Sequence, residues 1–85
     1  MEVVFTSAAL LHLEEWRKSG NKTIQNKIKE LIDSIRETPF DGIGKPEPLK
    51  HKLSGKWSRR INQEHRIVYS VVAESINIYS LKGHY

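Results

Sequence analysis

The stretch IQNKIKELIDSIRETPF (residues 24–40) decides the class of fold. Ile24, Ile28, Leu31, Ile32 and Ile35 fall at i, i+4, i+7, i+8 and i+11, a helical stripe against an outer face rich in Lys, Glu and Gln. The period stops at Pro39, which cannot continue a helix and pushes Thr38 out of the helical region. Just upstream, Ser19-Gly20-Asn21 breaks an earlier helix: Gly suits the position past a helix end, and Asn can cap the next helix. That earlier helix spans about 8–18, with Ala9, Leu10, Leu13 and Trp16 as its apolar stripe and Thr6 and Ser7 as candidate caps. Two helices joined by two or three residues form an antiparallel helical hairpin.

Outside this hairpin the pattern is that of strands. Residues 2–5 are a short β-branched and aromatic run, which predicts a first strand. Residues 40–49 contain two Gly and two Pro and read as an extended loop. Residues 57–61 and 65–72 alternate around a tight loop at Asn62-Gln63-Glu64. A second turn at Ala73-Glu74-Ser75 leads to a last strand over 76–81, where apolar Tyr79 and Leu81 interrupt the alternation and suggest a bulge. The order β-α-α-β-β-β predicts an α+β domain over residues 1–85, with an antiparallel sheet and the helical hairpin on one face.

Composition limits the function classes. Eighty-five residues make one domain with one modest core. No apolar run reaches the length of a membrane span, so no membrane partner is expected. Residues 1–5 do not read as a signal peptide, and a cytoplasmic location is expected. Cysteine is absent, which excludes disulfides and thiolate metal sites. The four histidines, at 12, 51, 65 and 84, have no metal-ligand spacing; no metal and no cofactor are expected.

The net charge of +4 is unevenly placed. Acidic and basic residues balance over 1–40, so the excess lies in the second half. Lys45, Lys50, Lys52, Lys56, Arg59, Arg60 and Arg66 face only Glu47 and Glu64 over residues 44–66, a footprint suited to a polyanion or to a solvated surface. Strand alternation refines the picture. If Ile67, Tyr69 and Val71 face the helices, Arg66 points the other way; with Trp57 and Ile61 inward, Arg60 does too. Arg60 and Arg66 are therefore expected on the sheet face that no helix covers, and Arg59 is expected as a solvated charge at a strand edge.

Proton-transfer groups lie beside this stripe: Glu47, His84 and Tyr85, with Arg60, Arg66 and Lys50 as cations. Cutting RNA without a metal needs a base for the 2′-hydroxyl, an acid for the 5′-oxygen and cations for the charge on phosphorus. His can hold or donate a proton near neutrality, and Arg offers a fork to phosphate oxygens. The residue types suffice; their spacing alone is not a motif.

The run KPEPLKHKLSGKWSRRINQEHRIVYSV (residues 45–71), with LIDSIRETPFDGIGKPEPLK before it and a terminal Gly-His-Tyr, resembles the YoeB/Txe branch of the RelE-like toxins of bacterial toxin–antitoxin systems. The likeness covers essentially the whole chain. It implies a microbial-ribonuclease-like α+β fold and a ribosome-dependent endonuclease that cuts mRNA in the A site through the message's own 2′-hydroxyl. By this resemblance Glu47 is the general base, His84 the general acid and Arg66 the cation at the scissile phosphate. Arg60 and Lys50 are supporting phosphate contacts, and Tyr85 helps place the substrate. Lys52, Lys56 and Arg59 extend the RNA-binding stripe. The implied partners are a cognate antitoxin of the YefM/Axe, Phd type, the ribosome with its mRNA, a second copy in a homodimer, and operator DNA only through the antitoxin complex.

Gly83 departs from the bulkier residue, often Tyr, that many members carry before the final His-Tyr. Glycine there is expected to loosen the backbone and leave His84-Tyr85 mobile until the ribosome or a dimer orders it. Two other readings share the fold: a non-catalytic module like the toxins that inhibit gyrase, and a corepressor in an antitoxin–DNA complex. Retention of Glu47, Arg66 and His84 speaks for the nuclease.

Overall fold

The computed structural model describes residues 1–83; the expectations for His84 and Tyr85 lie outside the described residues. The element order is β1 (Glu2–Phe5), α1 (Ser7–Ser19), α2 (Lys22–Glu37), β2 (Glu47–Pro48), a 3-10 turn (His51–Leu53), β3 (Trp57–Arg60), β4 (Arg66–Val72) and β5 (Ser75–Ser80). The helix ends follow from the capping residues. Thr6 Oγ1 accepts from the Ala9 N–H, and Asn21 Oδ1 accepts from the Ile24 N–H. α1 closes at Gly20, and α2 ends at Thr38, whose N–H reaches Ser34 O.

The five strands form one sheet in the order β1-β5-β4-β3-β2. The pairs β2–β3, β3–β4 and β4–β5 are antiparallel, the last two around the short turns that alternation marks. β1 adds to the far edge parallel to β5, with Val3 beside Ile76 and Phe5 beside Ile78, so the sheet is mixed. The connection between these two parallel neighbours is the whole intervening chain, from the α1–α2 hairpin through β2, β3 and β4. Two residues of the expected loop, Glu47 and Pro48, pair with Ser58 and Trp57 as a short fifth strand. Proline is accommodated there because β2 is the other edge of the sheet. A register shift at Val68/Tyr69 opposite β5 is the bulge that the mixed pattern of residues 76–81 suggests.

The core lies between the sheet and the helices. Ile24, Ile28, Leu31 and Ile35 of α2 pack with Ala9 and Trp16 of α1 and with Ile61, Ile67, Tyr69, Ile76, Ile78 and Leu81. Leu13, Ile32, Trp57 and Val71 are half-buried against this cluster. Leu10 departs from its expected place in the stripe: it is exposed, as is Leu11. A 13-residue helix resting on β5 through Ala9, Leu13 and Trp16 turns the flank carrying Leu10 away from the sheet.

Candidate functional site

The uncovered face of the sheet is built by strand alternation. β3 turns Trp57 and Arg59 toward the helices and Ser58 and Arg60 away; β4 turns Ile67 and Tyr69 inward and Arg66, Val68 and Ser70 outward. In the ladder Arg60 stands opposite Arg66, and the adjacent row runs from Glu47 through Ser58 to Val68. Directly opposed side chains share a face about 4.5–5.5 Å apart at Cβ. Glu47, Ser58, Arg60 and Arg66 are thus gathered on one face, as alternation placed the two arginines.

Two like charges opposite each other destabilise a sheet unless something neutralises them. Among the described residues neither Arg60 nor Arg66 has a carboxylate partner. Arg66 is half-buried, and its Nη1 donates to Ser58 Oγ at 3.1 Å, a neutral contact that orients the guanidinium without cancelling its charge. Glu47 is exposed on β2 and also has no ion-pair partner among the described residues. It lines a cleft of about 500 Å³ with Pro48, Leu49 and Lys50. The loop that carries Lys50 and Lys52 is closed by the Leu49 N–H on Lys56 O, and both lysines are exposed on it. Lys56 sits 4.2 Å from the centre of the Tyr79 ring, and the Tyr79 and Ser70 hydroxyls are 2.8 Å apart. Tyr79 is an open-face aromatic that the sequence reading did not single out; its place in β5 beside the bulge hid its direction.

Arg59 belongs elsewhere, and the expected solvated, RNA-binding role is corrected. Its side chain is 0% exposed. Nε donates to Tyr69 Oη, Nη1 to Ser34 Oγ and Ile43 O, and Nη2 to Thr38 O and Asp41 O. Tyr69 Oη in turn donates to Pro39 O at 2.7 Å. A guanidinium carries five N–H donors in a flat fork, so it can organise the loop after α2 around itself without a carboxylate. Gly42 closes that loop at φ +115; a Cβ there would lie 2.8 Å from Ser34 Oγ and 3.3 Å from Arg59 Nη1. The signal was available: alternation that turns Trp57 and Ile61 inward turns Arg59 inward with them.

The end of the described chain is held against α1 and the β3–β4 turn. The Leu81 N–H donates to His12 Nδ1 at 3.1 Å, and Trp16 Nε1 donates to Leu81 O at 2.8 Å. The Gly83 N–H donates to His65 Nδ1 at 2.8 Å, and Gly83 O accepts from the Arg66 N–H at 3.0 Å. Gly83 is therefore anchored at both its polar groups, contrary to the expected looseness. Its φ of +78 is a conformation that a Cβ would strain. His12, Trp16 and His65 were not singled out for function from the sequence, because their partner is main chain about 65 or 18 residues away.

Among the described residues no group of three His, Asp or Glu side chains is placed to hold a metal ion. No helix of the described residues is long and apolar enough to cross a membrane.

Fold and face together define a small α+β domain whose helical hairpin covers one side of the sheet and leaves the side that bears Arg60 and Arg66 without a helix. Residues 5–85 match the family described as the YoeB-like toxin of bacterial type II toxin-antitoxin systems. The chain is 56% identical over 70 residues to toxin YoeB of Escherichia coli (strain K12), covering 82% of each protein. The YoeB/ParE toxin from Agrobacterium tumefaciens has the same fold, with a TM-score of 0.96 and 39% identity over the whole of both chains. The YoeB of Staphylococcus aureus in its YoeB-YefM complex superposes with a TM-score of 0.91 at 43% identity, over 100% of this chain and 98% of that one. A YoeB dimer from Staphylococcus aureus superposes with a TM-score of 0.92 at 42% identity, over 100% of this chain and 98% of that one. The chain belongs to the YoeB-like toxins of bacterial type II toxin–antitoxin systems.

Proposed function

We propose that this toxin is a ribosome-dependent mRNA endoribonuclease, acting by metal-independent acid–base catalysis. The observation that carries the reading is the opposed pair Arg60 and Arg66, without carboxylate partners among the described residues and one row from Glu47. In-line attack by the 2′-oxygen needs a base on one side of the phosphate, an acid on the other and cations between them. Glu47 takes the 2′-hydroxyl proton as the 2′-oxygen bonds to phosphorus. Arg66, steadied by Ser58, holds the non-bridging oxygens, with Arg60 and Lys50 in support. His84 gives its proton to the departing 5′-oxygen, and Tyr85 helps place the nucleotide. The products are a 2′,3′-cyclic phosphate (or its 3′-phosphate) and a 5′-hydroxyl. The ribosome supplies a fixed single strand, and its RNA gives the exposed Lys50 and Lys52 something to bind.

By likeness to the Staphylococcus aureus protein, a YefM-type antitoxin neutralises the toxin and a homodimer forms. Operator DNA is met only through the antitoxin complex, and the site of action is the cytoplasm.

The test is message cleavage on programmed ribosomes, mapped by primer extension, with wild type, Arg66→Ala and His84→Gln. Cutting in the A-site codon, lost in both variants, is expected. Undiminished cutting by both variants sinks the residue assignment, and equal cutting of naked RNA sinks the ribosome dependence. Growth arrest without any message cleavage would favour a non-catalytic module of the same fold.

A further inference from the structure

We infer that His65 is a positioning residue for the terminal His-Tyr, acting through the main chain of Gly83. The inference rests on the nuclease reading above and adds a residue to its site.

The argument begins with the acceptor. The Gly83 N–H meets Nδ1 of His65 at 2.8 Å, and Nδ1 accepts it through its lone pair. The ring is itself fixed. It stands edge-on to Trp16, with centroids 4.8 Å apart at 80°, and its main chain is pinned by Asn62 Oδ1, which accepts from the His65 N–H at 2.8 Å. Trp16 is fixed in turn by the core and by its bond to Leu81 O. His65 thus connects the core, the β3–β4 turn and the last described residue.

The next link is geometric. Gly83 bonds to two consecutive residues, His65 through its N–H and Arg66 through its carbonyl. Arg66 also bears the guanidinium assigned to the scissile phosphate. One dipeptide therefore sets both the cation and the peptide unit from which His84 departs. A Gly at φ +78 is one of the least restrained positions in a chain. The His65 acceptor supplies the restraint that the missing side chain does not.

Two substitutions separate positioning from bulk. His65→Phe keeps a ring against Trp16 and removes the acceptor. His65→Asn places Oδ1 about where Nδ1 stands and keeps it. On programmed ribosomes His65→Phe is expected to lower kcat by about ten- to a hundredfold, the loss typical of a misplaced catalytic group, with KM little changed. His65→Asn is expected to recover most of that loss. Hydrogen exchange at the Gly83 amide gives a readout independent of cleavage: fast in the Phe variant, slow in the Asn variant. Equal loss in both variants, or a His65→Phe protein that cuts like wild type, overturns the inference. Should Arg66→Ala and His84→Gln lose cutting while His65→Phe does not, the positioning role falls alone. Should none of the three lose it, the assignment of Arg66 and His84 falls as well.

Discussion

Arg60 and Arg66 stand directly opposite each other across β3 and β4, on the face of the sheet that the helices leave open. A free protein keeps such a pair only at a cost in stability, and that cost disappears when an anion lies between them. Replacing Arg60 by Thr should therefore stabilise the free protein by about 0.2–1 kcal/mol, the range of cross-strand pair effects. The same change should weaken binding to single-stranded RNA and lower the slope of log affinity against log salt by about one. Thermal unfolding and RNA titrations at several salt concentrations measure both. A less stable Arg60→Thr protein would show that the pair is not repulsive.

The cation next to Arg60 in sequence behaves in the opposite way. Arg59→Met leaves Thr38 O, Asp41 O, Ile43 O, Ser34 and Tyr69 without their shared donor in a buried place. A loss of about 3 kcal/mol or more in urea unfolding is expected, in line with removing the centre of a buried polar network. Arg59→Lys should recover little of it, because an ammonium cannot present a flat fork. Wild-type stability together with reduced RNA affinity would restore Arg59 to the binding stripe.

Glu47 should separate catalysis from folding. It is exposed, so Glu47→Gln should leave the melting temperature unchanged. As the proposed base, its loss should lower single-turnover cleavage by about 10²–10⁴-fold, the usual contribution of general acid–base catalysis. RNA affinity should hold or rise, since a negative charge leaves the phosphate face. A variant that cuts at the wild-type rate excludes Glu47 as the base.

Tyr69 sets a limit at alkaline pH. Burial pushes its phenol above the ordinary tyrosine range, and the hydrogen bond and charge of Arg59 only partly offset this. The folded state therefore prefers the neutral ring. Stability from that preference is intact below about pH 10, where the unfolded tyrosine is still protonated, and is lost as pH rises toward the folded value. Of the three tyrosines, one should ionise late in a tyrosinate absorbance titration, and Tyr69→Phe should remove that late step. Three tyrosines titrating together would contradict it.

Periodicity carried much of this architecture. The stripe from Ile24 to Ile35, the caps Thr6 and Asn21, and the alternation that put Arg60 and Arg66 outside all follow from local rules, and the structure repeats them. What local rules do not contain is pairing at a distance. Nothing within residues 2–5 states that they lie parallel to β5, and nothing around His65 or Trp16 announces main-chain partners near the C-terminus. Arg59 is a different kind of miss. Alternation turns it inward, but a charged side chain with no acid nearby in sequence reads as solvated. The acceptors that make its burial affordable are mostly carbonyls of the loop after α2, which no residue-type pattern displays.

The parallel pairing of β1 with β5 has a consequence for how the toxin is made. Among the described residues the first strand translated pairs with the last one alone, and Trp16, His12 and Arg66 bond to residues later still. Contacts so far apart in the chain form late. While residues 75–80 are still within the exit tunnel, the nascent chain lacks β5, the strand with which β1 pairs. The sheet therefore closes only once β5 has left the ribosome, and β1 waits unpaired until then.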